Sequence, residues 1–190
     1  EDPSISVFFK VKKSSIPKKI KEKVSGDLGL AIWTTTPWTL PSNVAVAINE
    51  KEDYGIYVYG KRFIVLGSKL EESWKEKVEF GKKVLSLKGK ELLKLKYKVP
   101  FANLEGVVVS TDYVSMEDGT GLVHTAPGHG PDDFSAATKH GLQVICPVDS
   151  KGNYYKEEAF SKELGLKKLN KEILEICGMN VFKAQEKILN

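Results

Sequence analysis

Short apolar segments separated by turn residues constrain the fold of this chain more than any other feature of its sequence. The clearest pair runs from Tyr54 to Tyr59 and from Arg62 to Leu66, with only Gly60 and Lys61 between them. A two-residue gap that contains glycine is typical of a β-hairpin. Apolar and polar residues also alternate from Ile5 to Val11, which predicts a half-buried strand. The chain must therefore build a sheet.

Helical patterns accompany these strands. Pro131, followed by Asp132 and Asp133, predicts the start of a helix, because proline and acidic residues are favoured in the first helical turn. We therefore expect an α+β domain that has a barrel-like β-sheet core with interspersed helices. Further strands are predicted at 28–34, 44–48, 83–87, 106–110, 121–125 and 144–148, and further helices at 15–26, 69–78, 169–177 and 181–189.

Size and composition place the chain among ordinary globular domains. Its 190 residues suit one domain, with 41% hydrophobic and 28% charged residues. No apolar run approaches the roughly 18 residues that a membrane span needs. The first residues are acidic and then alternate, unlike a signal peptide. We expect a cytoplasmic protein that makes no membrane contact and is monomeric as an isolated domain.

Positive charge is concentrated near the start of the chain, although the net charge is only +4. A solvated lysine-rich face is one interpretation of this cluster. Contact with nucleic-acid phosphates is the other, because lysines bind the backbone without reading sequence. The cluster comprises Lys10, Lys12, Lys13, Lys18, Lys19, Lys21 and Lys23.

Two polar loops carry most of the residues that could do chemistry. The sequence GTGLVHTAPGHGPDDF, from Gly119 to Phe134, combines two histidines and two adjacent carboxylates with four glycines. The sequence WTTTPWTLPSN, from Trp33 to Asn43, contains four threonines and two tryptophans. Glycines let the backbone approach a ligand closely, while imidazole and carboxylate groups bind amines or transfer protons. If the fold brings the two loops together, they form a pocket.

At these two loops the chain closely resembles the editing domain of isoleucyl-tRNA synthetases, the large insertion in the catalytic domain of those class I enzymes. The strand AVAI between Ala45 and Ile48 belongs to the same match, and the resemblance extends over essentially the whole chain. The related valyl and leucyl enzymes typically have an arginine in the threonine loop, where this chain has Thr36 followed by Pro37. The resemblance implies a class I synthetase editing-domain fold over residues 1–190, excised from a larger synthetase.

The resemblance also implies an activity, the hydrolysis of valine wrongly esterified to the 3′ end of tRNA(Ile). A pocket that separates valine from isoleucine by one methylene gains only about 1–3 kcal/mol, a limit known from isoleucyl enzymes themselves. A second pocket that rejects isoleucine by size removes the error. The ATP-binding motifs of the parent synthetases are absent from this sequence, so we expect no synthetic activity and no cofactor. The implied partners are the charged tRNA and the remainder of the parent synthetase.

Asp133 and His124 are the residues with the most specific implied roles. By resemblance, Asp133 holds the α-ammonium of the misattached amino acid, and His124 lies against its side chain and helps to exclude isoleucine. The residues alone leave other interpretations open. Asp133 could offset the dipole of the helix that follows, although Asp132 fits that role better. His124 could be a core histidine at the end of a strand.

The resemblance also implies that Thr34, Thr35 and Thr36 contact the ester and the terminal adenosine. By the same resemblance, Thr39 borders the amino-acid side chain. Alternate strand residues point to opposite sides, so two of the three consecutive threonines should face the ligand and one should pack. We assign Thr35, Thr36 and Asp133 to catalysis. The reaction implied is direct attack by oriented water, with no covalent intermediate and no metal.

Trp38 and Asn43 complete the predicted substrate-binding residues. Trp38 either forms a wall of the pocket, contacts the terminal adenosine or packs in the core. Asn43 matches a position implicated in editing, and its alternative role is to end the loop in a turn.

Two other functions remain open from the sequence. The lysine cluster allows a non-catalytic RNA-binding module. His124 and His129, with Asp132 or Asp133 as a third ligand, allow a metal-dependent hydrolase. However, the two histidines are separated by Pro127 and Gly128 and lack helical ligand spacing.

Overall fold

The computed structural model describes residues 5–189, in which nine strands form two mixed sheets. The first sheet has the order β1-β2-β5-β4-β6 and the second the order β7-β8-β3-β9. The strands are β1 (Ile5–Lys10), β2 (Asp27–Thr34), β3 (Ala45–Ile48), β4 (Asp53–Tyr59), β5 (Arg62–Gly67), β6 (Lys83–Lys88), β7 (Lys96–Lys98), β8 (Glu105–Ser110) and β9 (Val123–Thr125).

The predicted hairpin is present, with β4 and β5 antiparallel and Tyr59 paired with Arg62 across the turn. Gly60 has a φ of 56°, which explains why the turn contains glycine. Each sheet also contains one parallel pair, β2 with β5 and β3 with β8. The α+β prediction is confirmed.

The sheets do not close into a barrel among the described residues. β1 and β7 lie at facing edges, but only the isolated bridge between Val11 and Tyr97 joins them. The predicted fold class is confirmed, and its β-sheet core takes the form of two adjoining mixed sheets that, within residues 5–189, do not make a closed barrel. The edge strands of the second sheet, β7 and β9, are short, with three residues each.

Residues 5–189 also form six α-helices: α1 (Lys18–Lys21), α2 (Glu71–Lys75), α3 (Pro131–His140), α4 (Glu157–Glu163), α5 (Lys171–Leu174) and α6 (Val181–Leu189). α3 begins at Pro131 as predicted and ends at His140, where the next residue, Gly141, has a φ of 63° and stops the helix. The helices expected at 15–26, 69–78 and 169–177 are shorter than predicted. No helix within residues 5–189 is long and apolar enough to span a bilayer.

The segment 144–148 is the clearest error in the predicted strands. Its backbone makes no ladder: the Cys146 amide donates to the side chain of Glu163, and Val148 forms only an isolated bridge with Tyr154. Pro147 lacks an amide hydrogen to donate. An apolar run can therefore be partly buried without becoming a strand.

One continuous hydrophobic core joins the first sheet, part of the second and the C-terminal helices. β3 lies between two apolar regions, with Val46 and Ile48 in the main core and Ala45 and Ala47 in a second, smaller cluster. β2 ends at Thr34 and β3 begins at Ala45, so the two strands hold both ends of the threonine loop.

Candidate functional site

A cleft of about 400 Å³ lies between the two polar loops that the sequence singled out. Both loops therefore contribute to one site. The predicted site residues that line the cleft are Thr34, Thr35, Thr36, Thr39, His124 and Asp133. Trp38 and Asn43 do not line it.

The threonine loop turns sharply where β2 ends. Thr34 is 7% exposed, and its hydroxyl accepts a hydrogen bond from the Thr36 amide at 3.1 Å. Thr35 and Thr36 are exposed. A short 3-10 helix, Pro37–Ser42, follows, because the proline at its first position favours helical φ. One threonine thus stabilises the turn while two keep their side chains accessible at the cleft.

The opposite wall is a glycine loop that β4 and α2 hold in place. Gly119 and Gly121 adopt φ values of 70° and 72°, which disfavour other residues. Their carbonyls accept hydrogen bonds from the Trp74 indole and, at 2.8 Å, from the Tyr54 hydroxyl. The loop is rigidly anchored although it contains little regular structure.

Asp133 extends from the first turn of α3 into the cleft. Its Oδ2 accepts a hydrogen bond from the Ala126 amide at 2.8 Å, so the side chain crosses to the end of β9 instead of capping its own helix. Among the described residues, its Oδ1 accepts no hydrogen bond. Burial raises the pKa of Asp133, and the nearby Asp132 adds to the rise. A half-buried carboxylate with an unused oxygen suits a cationic ligand.

His124 lies at the base of the cleft and is 8% exposed. Its Nε2 is 2.8 Å from the Thr39 hydroxyl, and its Nδ1 is 2.7 Å from Asn43 Nδ2. The Thr39 hydroxyl in turn donates to the Thr36 carbonyl at 2.9 Å. Burial lowers the pKa of His124 to about 3, so the ring is neutral at physiological pH.

Asn43 is fully buried behind His124, outside the cleft. Its Nδ2 also donates to the Ala45 carbonyl at 2.9 Å, and its Oδ1 accepts from the Tyr97 hydroxyl at 2.6 Å. Asn43 can therefore affect a ligand in the cleft only through His124.

Trp38 packs against His129 beside the cleft, with ring centroids 5.0 Å apart at 80°. Its carbonyl accepts a hydrogen bond from the Tyr154 hydroxyl. His129 does line the cleft, where its Nε2 lies 2.9 Å from the Ser42 hydroxyl. Burial lowers the pKa of His129. Trp38 thus supports a cleft residue instead of facing the ligand itself.

The sequence interpretation missed a third segment of the cleft, between β8 and the glycine loop. Tyr113 and Ser115 line the cleft, and so does Trp33 at the end of β2. Burial raises the pKa of Tyr113. The signal was available: the stretch TDYVSMED has neither strand nor helix periodicity and mixes acids with hydroxyl residues, as the two recognised loops do.

Side chains that could hold a metal ion are dispersed. Across residues 5–189, no three histidine, cysteine, aspartate or glutamate side chains come together as a possible ligand set. The pair His124 and His129 therefore lacks the third protein ligand that catalytic zinc sites use.

The lysine cluster near the start of the chain is largely paired with carboxylates. Four of its seven lysines form ion pairs: Lys10 with Asp27 at 2.6 Å, Lys12 with Glu105, Lys18 with Glu22 at 3.9 Å and Lys19 with Glu91 at 2.6 Å. Three lysines of the cluster remain for other contacts within the described residues.

No family profile matches the chain, but individual sequences do. It is 44% identical over 159 residues to the isoleucine–tRNA ligase of Geobacillus kaustophilus, a match that covers 83% of this chain and 16% of the relative. It is 41% identical over 206 residues to the isoleucine–tRNA ligase of Prochlorococcus marinus, with coverage of 99% and 20%. The chain thus spans between a sixth and a fifth of the length of these relatives.

Solved structures share the fold at low sequence identity. The crystal structure of GlLeuRS-CP1 matches with a TM-score of 0.72 at 15% identity, covering 98% of this chain and 93% of the other. The Plasmodium knowlesi cytosolic leucyl-tRNA synthetase editing domain matches with a TM-score of 0.66 at 10% identity, with coverage of 99% and 92%. The chain therefore belongs to the isoleucine–tRNA ligase family over the segment that it matches, and it has the fold of a synthetase editing domain.

Proposed function

We propose that this chain is the editing domain of an isoleucyl-tRNA synthetase and hydrolyses the ester between valine and the 3′ end of tRNA(Ile). The observation that carries the proposal is Asp133, a half-buried carboxylate with an unused oxygen, placed in a cleft between two threonine- and glycine-rich loops. An aminoacyl ester presents an α-ammonium group, which is the partner that such a carboxylate needs.

The proposed sieve is the base of the cleft. His124 and Thr39 are both buried and bonded to each other at 2.8 Å, so neither side chain is free to move aside for a larger ligand. Rejection by size needs such rigid atoms, because an extra methylene is worth only about 1–3 kcal/mol in a pocket that can adapt. Valine would fit above this wall and isoleucine would not.

Hydrolysis is proposed to proceed by direct attack of water on the ester carbonyl. Thr35 and Thr36 are exposed residues that line the cleft, and their hydroxyls can orient the water or the ester oxygens. Asp133 would fix the substrate by its ammonium, and so place the ester beside them. Catalysis would then come from orientation and preorganised dipoles.

The domain assignment and the partners belong to the same proposal. Residues 1–190 would form a single editing domain cut from a larger synthetase, consistent with the small share of the relatives that it spans. The rest of the synthetase would bind the tRNA body and deliver its charged 3′ end. A cytoplasmic location and a monomeric state of the isolated domain complete the proposal.

Deacylation by the purified chain tests this function. Val-tRNA(Ile) and Ile-tRNA(Ile) are incubated with the chain in parallel, with and without EDTA. We expect faster release of valine, unchanged by EDTA, since oriented water needs no Lewis acid. Binding to tRNA without release of valine would support the RNA-binding module instead. Release that EDTA abolishes and zinc restores would support the metal-dependent hydrolase that uses His124 and His129.

A further inference from the structure

A tyrosine behind the cleft is joined to the proposed sieve by a chain of hydrogen bonds. Tyr97 lies on the edge strand β7 and is fully buried. Its hydroxyl donates to Asn43 Oδ1 at 2.6 Å, although the two residues are 54 positions apart in sequence. Since neither residue lines the cleft, any influence of Tyr97 on a ligand must pass through Asn43 and His124.

The orientation of the Asn43 amide follows from its neighbours. The atom that lies 2.9 Å from the Ala45 carbonyl must be the nitrogen, because a carbonyl oxygen only accepts hydrogen bonds. The other amide atom, which faces the Tyr97 hydroxyl, is then the oxygen, and the hydroxyl donates a hydrogen bond to it. Both contacts fix the same orientation, with the nitrogen directed also at His124.

This orientation determines the protonation of His124. The Asn43 nitrogen has no lone pair to offer, so His124 Nδ1, at 2.7 Å, must accept its hydrogen. A neutral imidazole that accepts at Nδ1 carries its proton on Nε2. His124 Nε2 then donates a hydrogen bond to the Thr39 hydroxyl oxygen, 2.8 Å away, and the Thr39 hydroxyl itself donates to the Thr36 carbonyl. The hydrogen bonds from Tyr97 to Thr36 therefore all run in one direction.

The second sheet leaves space for the Tyr97 ring in particular. Gly106 on β8 is its direct partner across the strand pair. A Cβ atom at Gly106 would lie 2.2 Å from Tyr97 Cζ and 2.3 Å from its hydroxyl oxygen, far inside contact distance. Phe9 also packs against the Tyr97 ring, with ring centroids 5.2 Å apart. Contacts with both Gly106 and Phe9 thus hold the hydroxyl at Asn43.

We propose that Tyr97 is a positioning residue for editing: its hydroxyl holds the Asn43 amide so that His124 keeps its proton on Nε2 and Thr39 stays fixed at the base of the cleft. The inference rests on the proposed function for its catalytic part. Its structural part, the tautomer of His124, stands independently and can be measured without a substrate.

The first measurement is the tautomer in the wild-type chain. Long-range ¹H–¹⁵N spectra of ¹⁵N-histidine protein distinguish the two ring nitrogens, and the chain has only three histidines to assign. We expect His124 in the neutral form protonated at Nε2. A proton on Nδ1 would overturn the proposal before any variant is made.

The second measurement uses Tyr97→Phe, which keeps the ring and removes the hydroxyl. We expect the His124 ¹⁵N shifts to move towards a mixture of tautomers. Because the wall that rejects isoleucine is then less firmly held, hydrolysis of Ile-tRNA should rise relative to Val-tRNA by about three- to tenfold, the effect of one neutral hydrogen bond. Tyr57→Phe is the matched control, because Tyr57 is equally buried but donates to Glu71 at 2.8 Å, away from the cleft. It should change neither measurement.

Gly106→Ala is a second way to break the hydrogen bond between Tyr97 and Asn43. Its methyl group would push the Tyr97 ring away while the hydroxyl remains. Folded variants that keep both the His124 shifts and the wild-type ratio of Ile-tRNA to Val-tRNA hydrolysis would overturn the proposal. A changed ratio with unchanged His124 shifts would also overturn it, because Tyr97 would then act by a route other than the His124 tautomer. If the wild-type chain fails to release valine, the proposed function fails, while the His124 spectra still decide the role of Tyr97.

Discussion

The cleft and the lysine-rich surface both contain charged and polar residues, yet the pKa values of their carboxyl groups shift in opposite directions. In the cleft, burial raises the pKa of Asp133, whose described partner is the neutral backbone amide of Ala126. On the lysine surface, hydrogen bonds from lysines lower the pKa values of Asp27, Glu91 and Glu105. One region holds a carboxylate that lacks a cation, and the other holds carboxylates that already have one.

This difference separates a site from a solvated face. Exposed ion pairs contribute little to stability or binding, because water and salt screen them. A desolvated carboxylate without a cationic partner gains much more from a ligand that supplies one. The largest concentration of charge in the sequence is therefore a poorer guide to function than one aspartate in a partly apolar cleft.

Replacing Asp133 should have the largest effect. Loss of a charge-assisted hydrogen bond, worth about 1.5–3 kcal/mol, should slow deacylation of Val-tRNA at least tenfold in Asp133→Ala. Asp133→Asn, which keeps an acceptor for the Ala126 amide, should lose nearly as much. Asp132→Ala, on the exposed side of the same helical turn, is the control and should stay near wild type. Rates are compared for variants whose circular dichroism is unchanged, and full activity of Asp133→Asn would remove its charge from the mechanism.

Loosening the base of the cleft should change selectivity. His124→Ala should raise hydrolysis of Ile-tRNA relative to Val-tRNA by a factor bounded by the roughly 1–3 kcal/mol that one methylene supplies. Thr39→Ala should act in the same direction. The double variant should show the larger loss of selectivity, but less than the sum, because the two side chains are bonded at 2.8 Å. Side-by-side assays of both charged tRNAs measure the ratio, and an unchanged ratio in both folded variants would show that neither residue forms the sieve.

The pH dependence should reflect Asp133 and not His124. Only the carboxylate form pairs with an ammonium, so kcat/KM should fall on acidification through a pKa above the ordinary aspartate value of 3.8. His124, with a pKa of about 3, stays neutral over this range and should add no step near its ordinary value of 6.5. Profiles from about pH 4 to 8 test this, and the acidic limb should disappear in Asp133→Asn.

The lysine surface should give the smallest effect. Because four of the seven lysines are already paired, about three phosphates at most can be neutralised, and the logarithm of the tRNA affinity should fall with the logarithm of salt with a slope of about −2 to −3. Titrations at several salt concentrations give the slope. A slope of about −6 would mean that the ion pairs open to contact RNA, and the contrast between the two regions would then be wrong.

The sequence predicted much of the fold because several of its signals are local. Gly60 marks the turn of the hairpin, and Pro131 marks the start of α3, without help from distant residues. The strand predicted at 144–148 was wrong because the partners of its backbone lie outside the segment. Its apolar residues are consistent with a strand, but its backbone is satisfied by the Glu163 side chain and a single bridge, and neither partner is visible in the local pattern.

The candidate site also contains residues that local sequence could predict and residues that depend on distant contacts. The two loops that line the cleft are continuous sequences with unusual composition, so their contribution could be predicted. Tyr97 could not, because it lies on a three-residue strand that the sequence pattern did not reveal, and it reaches the site only through Asn43. Asn43 itself was identified by resemblance, yet its place behind His124 depends on the pairing of β3 with β9.

The missing side chain at Gly106 has an evolutionary consequence. Because a Cβ atom there would overlap the Tyr97 ring, the two positions are not free to vary one at a time. A lineage that acquires a larger residue at position 106 must either displace the Tyr97 ring or accept a smaller residue at position 97. In both cases it gives up the hydrogen bond that Asn43 accepts. Among homologous chains, an aromatic residue at 97 should therefore coincide with glycine at 106, and departures from one should mark departures from the other.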